Sequence, residues 1–451
     1  MRPLAPLPLR LPTAETTARL PRGFRAVGTS AGIKPTGARD LAIILSDDGP
    51  AAAAATFTTN RLPAAAVRMN QAHLAATEPA GGGRYGWAGA MIATSGCANA
   101  ATGAAGLADQ HSLAATLAEH AGVSPQQVLA MSTGLIGTRL PVARIAAAVG
   151  ATMATGLGRE DADLANVAEA LRTTDSRAKM ATVRLQLPGK DGQPVEVTVS
   201  GVAKGVGMIH PNMATMLCFV LTDATAAPAT LHAILRPIVA RTWDQISVDG
   251  DQSTNDTVLL AASGAAGAAA LEDDAAAAST FGRALEAVAR SLARQQAADG
   301  EGAATLITCA VSGGRDDAAA RAAARAVVSS DLVKAAIHGA DPNWGRIAMA
   351  VGNAIVAPAA VLEAAGLDTA TARRRAGQAV ELDPDGLRID IEGTPVFAGV
   401  PVPFDAADLS SRMRQAEVLI RIDLGVGTGS GEAFGCDLTE QYVIENSEYS
   451  T

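Results

Sequence analysis

Thr215 follows the run Lys204-Gly-Val-Gly-Met-Ile-His-Pro-Asn-Met-Ala214 and precedes Met216-Leu-Cys-Phe-Val-Leu221. Two glycines, a proline and an asparagine favour irregular backbone, whereas the apolar run reads as a short buried strand. The sequence therefore brings a threonine to a strand edge at the end of a loop. A threonine hydroxyl is a weak nucleophile without an adjacent base, and its own α-amine can be that base once the preceding peptide bond is cut. An unperturbed α-amine titrates at about 7.7–8.0, so a useful fraction is neutral near physiological pH. Cleavage between Ala214 and Thr215 is expected, and would convert inert chain into nucleophile and base together. Gly205-Val-Gly207 lacks the spacing of a dinucleotide or phosphate-loop fingerprint, which excludes a nucleotide reading.

The elements that must position this threonine are legible on both sides of it. Ala181 to Leu187 and Val195 to Val199 alternate about a Pro/Gly turn, which predicts a hairpin feeding the loop. Residues 41–45, 54–58 and 91–95 read as strands, 107–121 as a helix, and Ser124-Pro125 as the start of another short helix leading to Thr133-Gly134. Beyond Thr215, residues 227–244 read as helix, 304–311 as strand, 316–338 as one or two helices and 339–345 as loop. The alanine-rich stretches 259–290 and 315–328 read as helices, because alanine is the best helix former. The whole is α/β, with layered sheets flanked by helices.

A chain of 451 residues with 48% hydrophobic and 18% charged residues has a globular composition and can bury a large core. The net charge of −9 argues against a general nucleic-acid surface. It is unevenly divided: residues 1–214 carry 19 basic and 14 acidic side chains, whereas residues 215–451 carry 17 and 31. Opposite charge would help two cleaved pieces stay together, with interleaved strands contributing much more. The four cysteines are far apart and the six histidines lack zinc-ligand spacing, so neither a metal site nor a disulfide scaffold is expected. Prolines interrupt the N-terminus, so no signal peptide is read there; residues 1–20 are expected to form a disordered tail on a soluble, cytoplasmic protein.

Taken in order, Pro21-Arg-Gly-Phe24, Thr58-Thr-Asn-Arg61, Ser132-Thr-Gly-Leu-Ile-Gly137, Thr173-Thr-Asp175, Lys204 to Leu217, Val248-Asp-Gly-Asp251, Ser253-Thr-Asn-Asp256, Gly300-Glu-Gly302, Asp341 to Arg346 and Tyr442 to Thr451 resemble the ornithine acetyltransferase, or glutamate N-acetyltransferase, family of arginine biosynthesis. The likeness spans roughly Pro21 to Thr451. It implies a two-lobed self-cleaving fold resembling N-terminal nucleophile enzymes and the self-cleaving aminopeptidases, with residues 21–214 and 215–451 as the two mature chains, paired as a heterotetramer. It implies acetyl transfer from N-acetylornithine to glutamate through an acetyl-threonine, an amide exchange that needs no metal or bound cofactor, with acetyl-CoA as a second donor if the enzyme is bifunctional. Carried over residue by residue, it makes Thr215 the nucleophile, Ala214 and Thr215 the cleavage pair, and Thr133 and Gly134 the oxyanion donors. Thr173, favoured over Thr174, together with Lys204, Glu301, Asn446 and Thr451, would bind substrate.

One block departs from the resemblance. Thr94-Ser-Gly-Cys-Ala-Asn-Ala-Ala101 stands where the family usually has Asn-Ser-Gly-Asn-Ala-Asn-Ala-Cys, which bears on acceptor choice more than on chemistry. Asp249 to Asp256 and Asp341 to Arg346 are given structural roles, because Asp, Asn and Gly suit turns and caps. Two rival functions remain at this level. A self-cleaved hydrolase or aminopeptidase would use water as acceptor, and an uncleaved binding protein would keep the pocket without the chemistry.

Overall fold

A computed structural model describes residues 1–210 and 216–447; the expected cleavage pair Ala214 and Thr215, and the terminal Thr451, lie outside the described residues. Three sheets carry the fold. The first has four strands in the order β1 (Phe24–Thr29), β2 (Leu41–Ser46), β5 (Ala90–Cys97) and β6 (Val128–Leu135). The second has six, in the order β4 (Tyr85–Ala88), β3 (Ala51–Phe57), β11 (Thr257–Ala262), β9 (Leu217–Thr222), β8 (Pro194–Lys204) and β7 (Lys179–Pro188). The third runs β10 (Ile246–Ser247), β16 (Gly429–Cys436), β12 (Leu306–Gly314), β15 (Glu417–Asp423), β13 (Arg388–Ile391) and β14 (Thr394–Ala398). Helices cover these sheets, so the mixed α/β layering read from the sequence holds.

The second sheet explains why its strands are apolar throughout. Leu217, Phe219 and Leu221 of β9 join one core with Ala42 and Ile44 of β2, while Cys218 and Val220 point into another beneath helices Pro228–Arg241 and Ala275–Ala298. A strand buried on both faces has no polar alternation to show. The same burial corrects one expectation. Of the stretch 259–290 read as helix, residues 259–262 belong to strand β11, which pairs antiparallel with β3 and parallel with β9, and α-helix begins only at Ala275, after a 3₁₀ turn at Leu271–Asp273. Burial between two partners outweighs alanine's helix preference, which is a fraction of a kcal/mol per residue.

The segment after Ser124 also differs from expectation. It makes one 3₁₀ turn, Pro125–Gln127, with the Gln127 side chain accepting the Ser124 amide at 3.1 Å, and then enters β6. Val128 to Met131 is buried on both faces, so the strand wins. Residues 316–338 are two helices, Asp317–Val328 and Asp331–His338, and the helix Trp344–Gly352 starts inside the expected 339–345 loop.

Residues 1–20, expected as a disordered tail, lie along the body. Glu15 exchanges backbone hydrogen bonds with Thr182 at 2.8 and 2.9 Å, the Arg19 amide donates to Ser200 Oγ at 3.1 Å, and Leu4 is buried. Its prolines suit an extended path over a sheet edge.

Two pairings bear on the proposed cut. Strand β8 precedes residues 211–215 in the chain and pairs with β9, which follows them, while β3 pairs with β11. Chain from both sides of Thr215 is thus interleaved in one hydrogen-bonded sheet.

Candidate active site

Strand β6 ends in Thr133-Gly134-Leu135 beside β5, and the parallel register shifts between Gly96 and Cys97. That bulge is possible because Gly134 is glycine. Its φ is +123°, and a Cβ there would lie 2.3 Å from the Gly96 carbonyl carbon. A bulge re-aims the strand end. Asn255 fixes it from the opposite side, donating through Nδ2 to the Ala98 and Ser132 carbonyls at 2.7 and 2.8 Å. In the departing block, Asn99 is buried at φ +49° and donates to the Gly106 carbonyl at 2.9 Å, so it holds the backbone.

Lys204 is the last residue of β8 and is buried. Its ammonium donates to Thr133 Oγ1 at 3.3 Å. Burial lowers the Lys204 pKa from the ordinary lysine value, and the carboxylate of Asp175 acts in the opposite sense. Asp175 accepts from Lys179 Nζ at 2.6 Å and from the Gly205 amide at 2.9 Å. Burial alone would raise the Asp175 carboxyl, but Lys204, Lys179 and the Gly205 amide hold it well below the usual carboxylate range. Lys179 also reaches Asp299 Oδ2 at 2.6 Å. The result is a buried Asp175–Lys179–Asp299 cluster that fixes both the end of β8 and the turn carrying Glu301.

Glu301 closes the ring. Its carboxylate accepts from Thr174 Oγ1 at 2.8 Å and from Asn446 Nδ2 at 2.9 Å. It lies over Gly207, where a Cβ would come 2.1 Å from Glu301 Oε2 and push the carboxylate aside. These groups enclose a cavity of about 300 Å³. Thr133, Gly134, Thr173, Lys204, Glu301 and Asn446 all line it, although the chain separates the first from the last by more than 300 residues. Thr174 lines it too, and it is Thr174 rather than the favoured Thr173 whose hydroxyl binds Glu301; the Thr173 amide donates to Asp175 Oδ2 at 3.0 Å.

Sequence reasoning missed Asp175, Lys179 and Asp299 as a unit and left Ser253 to Asn255 as structural, yet the latter three line the cavity. Nearby, Asp256 is fully buried and accepts the Met216 amide at 3.0 Å through Oδ1. Burial raises its carboxyl well above the usual range. Ser-Thr-Asn-Asp carries no local signal of this role, because the partners of Asn255 lie on β6 and after β5.

The cluster gives a testable consequence. Lys179→Met leaves Asp175 and Asp299 buried without their shared cation, and removing one partner of a buried ion pair costs about 3–5 kcal/mol. Chemical denaturation of Lys179→Met should show a loss of that order. Its acid side should be blunted as well. A carboxyl held low in the folded state stabilises fully above its unfolded pKa of about 3.9 and loses that contribution as pH falls toward the folded value. The wild-type gain in stability with rising pH across that acid window should therefore shrink in Lys179→Met; an unchanged profile would remove the cluster from this role.

A model of the ArgJ family matches residues 25–451 of the chain. The arginine biosynthesis bifunctional protein ArgJ of Thermus thermophilus is 41% identical over 433 residues, covering 96% of this chain and 99% of that protein. The protein of the same description from Deinococcus radiodurans is 40% identical over 432 residues, covering 96% and 97%. Among solved structures, the arginine biosynthesis bifunctional protein argJ from Bacillus halodurans is 36% identical, covers 51% of this chain and 97% of that chain, and superposes with a TM-score of 0.44.

Proposed function

The chain belongs to the ArgJ family, and from that premise we propose that it transfers the acetyl group of N-acetylornithine to glutamate, as a step of arginine biosynthesis, through an acetyl ester on Thr215. The supporting observation is the convergence of Thr133, Gly134, Lys204, Glu301 and Asn446 on one cavity of about 300 Å³. That volume suits a small amino acid derivative.

In this reading the peptide bond before Thr215 is cut, giving chains of 214 and 237 residues. The freed α-amine takes the hydroxyl proton as Thr215 Oγ1 attacks the acetyl carbonyl. Thr133 and Gly134 donate to the oxyanion of the tetrahedral intermediate, the kind of stabilisation that usually dominates acyl transfer. Collapse breaks the amide C–N bond and returns the proton to the leaving ornithine amine. Glutamate then attacks the ester by the same steps in reverse, releasing N-acetylglutamate and restoring Thr215. Lys204 holds a substrate carboxylate by charge-assisted hydrogen bonding, and Glu301 with Asn446 orients the substrate amine. By the same resemblance Thr451 binds the amino-acid portion of the substrate, and two copies of each chain form the assembly. Because the relatives are described as bifunctional, the proposal extends to acetyl-CoA as a second acetyl donor. No described helix is long and apolar enough to cross a membrane.

The decisive experiment incubates the cleaved protein with N-acetylornithine alone, with added glutamate, and with acetyl-CoA plus glutamate. A covalent acetyl-enzyme predicts ping-pong rates, ornithine release that is stoichiometric without glutamate, and catalytic release with it. Equal multiple-turnover release in both cases would make the protein a hydrolase. N-acetylglutamate formed from acetyl-CoA establishes the second donor, and its absence restricts the enzyme to N-acetylornithine.

A further inference from the structure

Neighbouring residues of one segment hold the two halves of the acetyl-transfer site. Asn255 donates to the Ala98 and Ser132 carbonyls and so fixes the turn that carries Thr133 and Gly134. Asp256, the next residue, reaches the other half. Its Oδ1 accepts the Met216 amide at 3.0 Å, and the Thr257 amide donates to the Met216 carbonyl at 2.9 Å. Met216 is thus held by both of its backbone groups, one residue before Leu217 pairs with Lys204 of β8 on one side and Thr257 of β11 on the other. The Met216 nitrogen is bonded to Thr215. Once the bond before Thr215 is cut, that link is its one covalent tether, so whatever fixes the Met216 amide also fixes the root of the nucleophile.

The segment has firm support of its own. Ser253, Thr254, Asn255 and Asp256 are all buried. Behind them the Thr58 hydroxyl donates to the Ser253 carbonyl at 2.6 Å, the Thr58 amide to the Asp256 carbonyl at 3.0 Å, and the Ala64 amide to the Thr254 carbonyl at 2.9 Å. Thr58 follows β3 and Ala64 precedes the helix Ala65–Thr77, so the segment is anchored to a sheet and to a helix. Burial pushes the Asp256 carboxyl up and Asp244 adds to the rise, against the Met216 amide and Lys204. An acid in so dry a place is a costly way to end a strand, which favours a role in where it places Met216.

We propose that Asp256 is a positioning residue for Thr215, and that Asn255 and Asp256 act as one gauge setting the distance from the nucleophile to the Thr133 and Gly134 donors. The proposal rests on the acetyl-threonine mechanism and extends it. The attacking oxygen and the oxyanion belong to one tetrahedral centre, so their partners must be spaced to match it, and a 1 Å misplacement costs about 10²-fold in rate.

The rate of self-cutting, and kcat and KM with N-acetylornithine and glutamate, test the gauge in the full protein. Asp256→Ala removes the acceptor. It should cut more slowly, and once cut its kcat should fall by about 10²-fold, with KM little changed because Lys204, Glu301 and Asn446 still line the cavity. Asp256→Asn keeps an oxygen for the Met216 amide and should recover most of both rates. A folded Asp256→Ala chain that stays uncut while Asp256→Asn cuts is the same result at the earlier step. Asn255→Ala loosens the other arm and should also lower kcat with KM little changed, which reads the gauge even where Asp256→Ala does not fold. With the wild-type protein cut and active, unchanged kcat in folded Asp256→Ala or Asn255→Ala, or an Asp256→Asn as slow as Asp256→Ala, would overturn the gauge and leave the mechanism standing. A wild-type chain that stays uncut or transfers no acetyl group would overturn the mechanism, and the gauge with it.

Discussion

Thr215→Ala is expected to run as a single 451-residue chain on a denaturing gel and to release no ornithine from N-acetylornithine. Without the hydroxyl there is no nucleophile for the cut, hence no free α-amine to act as base and no atom to carry the acetyl group. The loss should exceed that of any other single change, because two chemical steps fail together. Thr215→Ser keeps the hydroxyl and should still cut and turn over, more slowly. N-terminal sequencing of the wild-type bands should read Thr-Met-Leu-Cys for one fragment. Active enzyme from uncut chain, or robust transfer by Thr215→Ala, would sink the mechanism.

The cut should leave the assembly standing. Strand β9 lies between β8 from one side of Thr215 and β11 from the other, and β11 pairs in turn with β3. Separating the pieces would expose Phe219, Leu259 and Leu260, all buried, together with two ladders of backbone hydrogen bonds. Burying one such side chain contributes about 1.5–3 kcal/mol, so the sheet alone outweighs any attraction between a basic and an acidic half. The two fragments should therefore elute together on gel filtration at neutral pH and at high salt.

What the sequence made legible was local. The hairpin before Lys204 shows as two alternating runs about a turn, and the structure extends it to Lys179–Lys204. The ordered blocks named Thr133, Gly134, Lys204, Glu301 and Asn446, and all five meet at one cavity. What stayed hidden depends on partners distant in sequence. Lys179 and Asp299 are 120 residues apart, and Thr174 and Glu301, which share a hydrogen bond, are 127 apart. Strand β11 is alanine- and leucine-rich like a helix, and only its two neighbours decide the matter. The N-terminal segment reads as tail because its proline-rich pattern does not encode the edge it lies against.

Thr133 and Lys204 should fail in different ways and not independently. Lys204 Nζ donates to Thr133 Oγ1, which occupies a lone pair of that hydroxyl and leaves its proton for the cavity. A donor that already accepts from an ammonium is polarised and donates more strongly. Thr133→Ala removes it, and loss of one oxyanion donor typically costs about 10²–10³ in kcat, with KM little changed. Lys204→Met removes the cation for a substrate carboxylate, so KM should rise; Asp175 keeps Lys179 and the Gly205 amide, so the strand end should stay folded. Because the ammonium also polarises Thr133, Lys204→Met should lower kcat as well. The double variant should then lose less than the two single losses combined, with a coupling of about 0.5–3 kcal/mol in kcat/KM. Unchanged kcat in a correctly cut Thr133→Ala protein would remove Thr133 from the oxyanion site. Strict additivity would mean that the 3.3 Å contact carries nothing into the transition state.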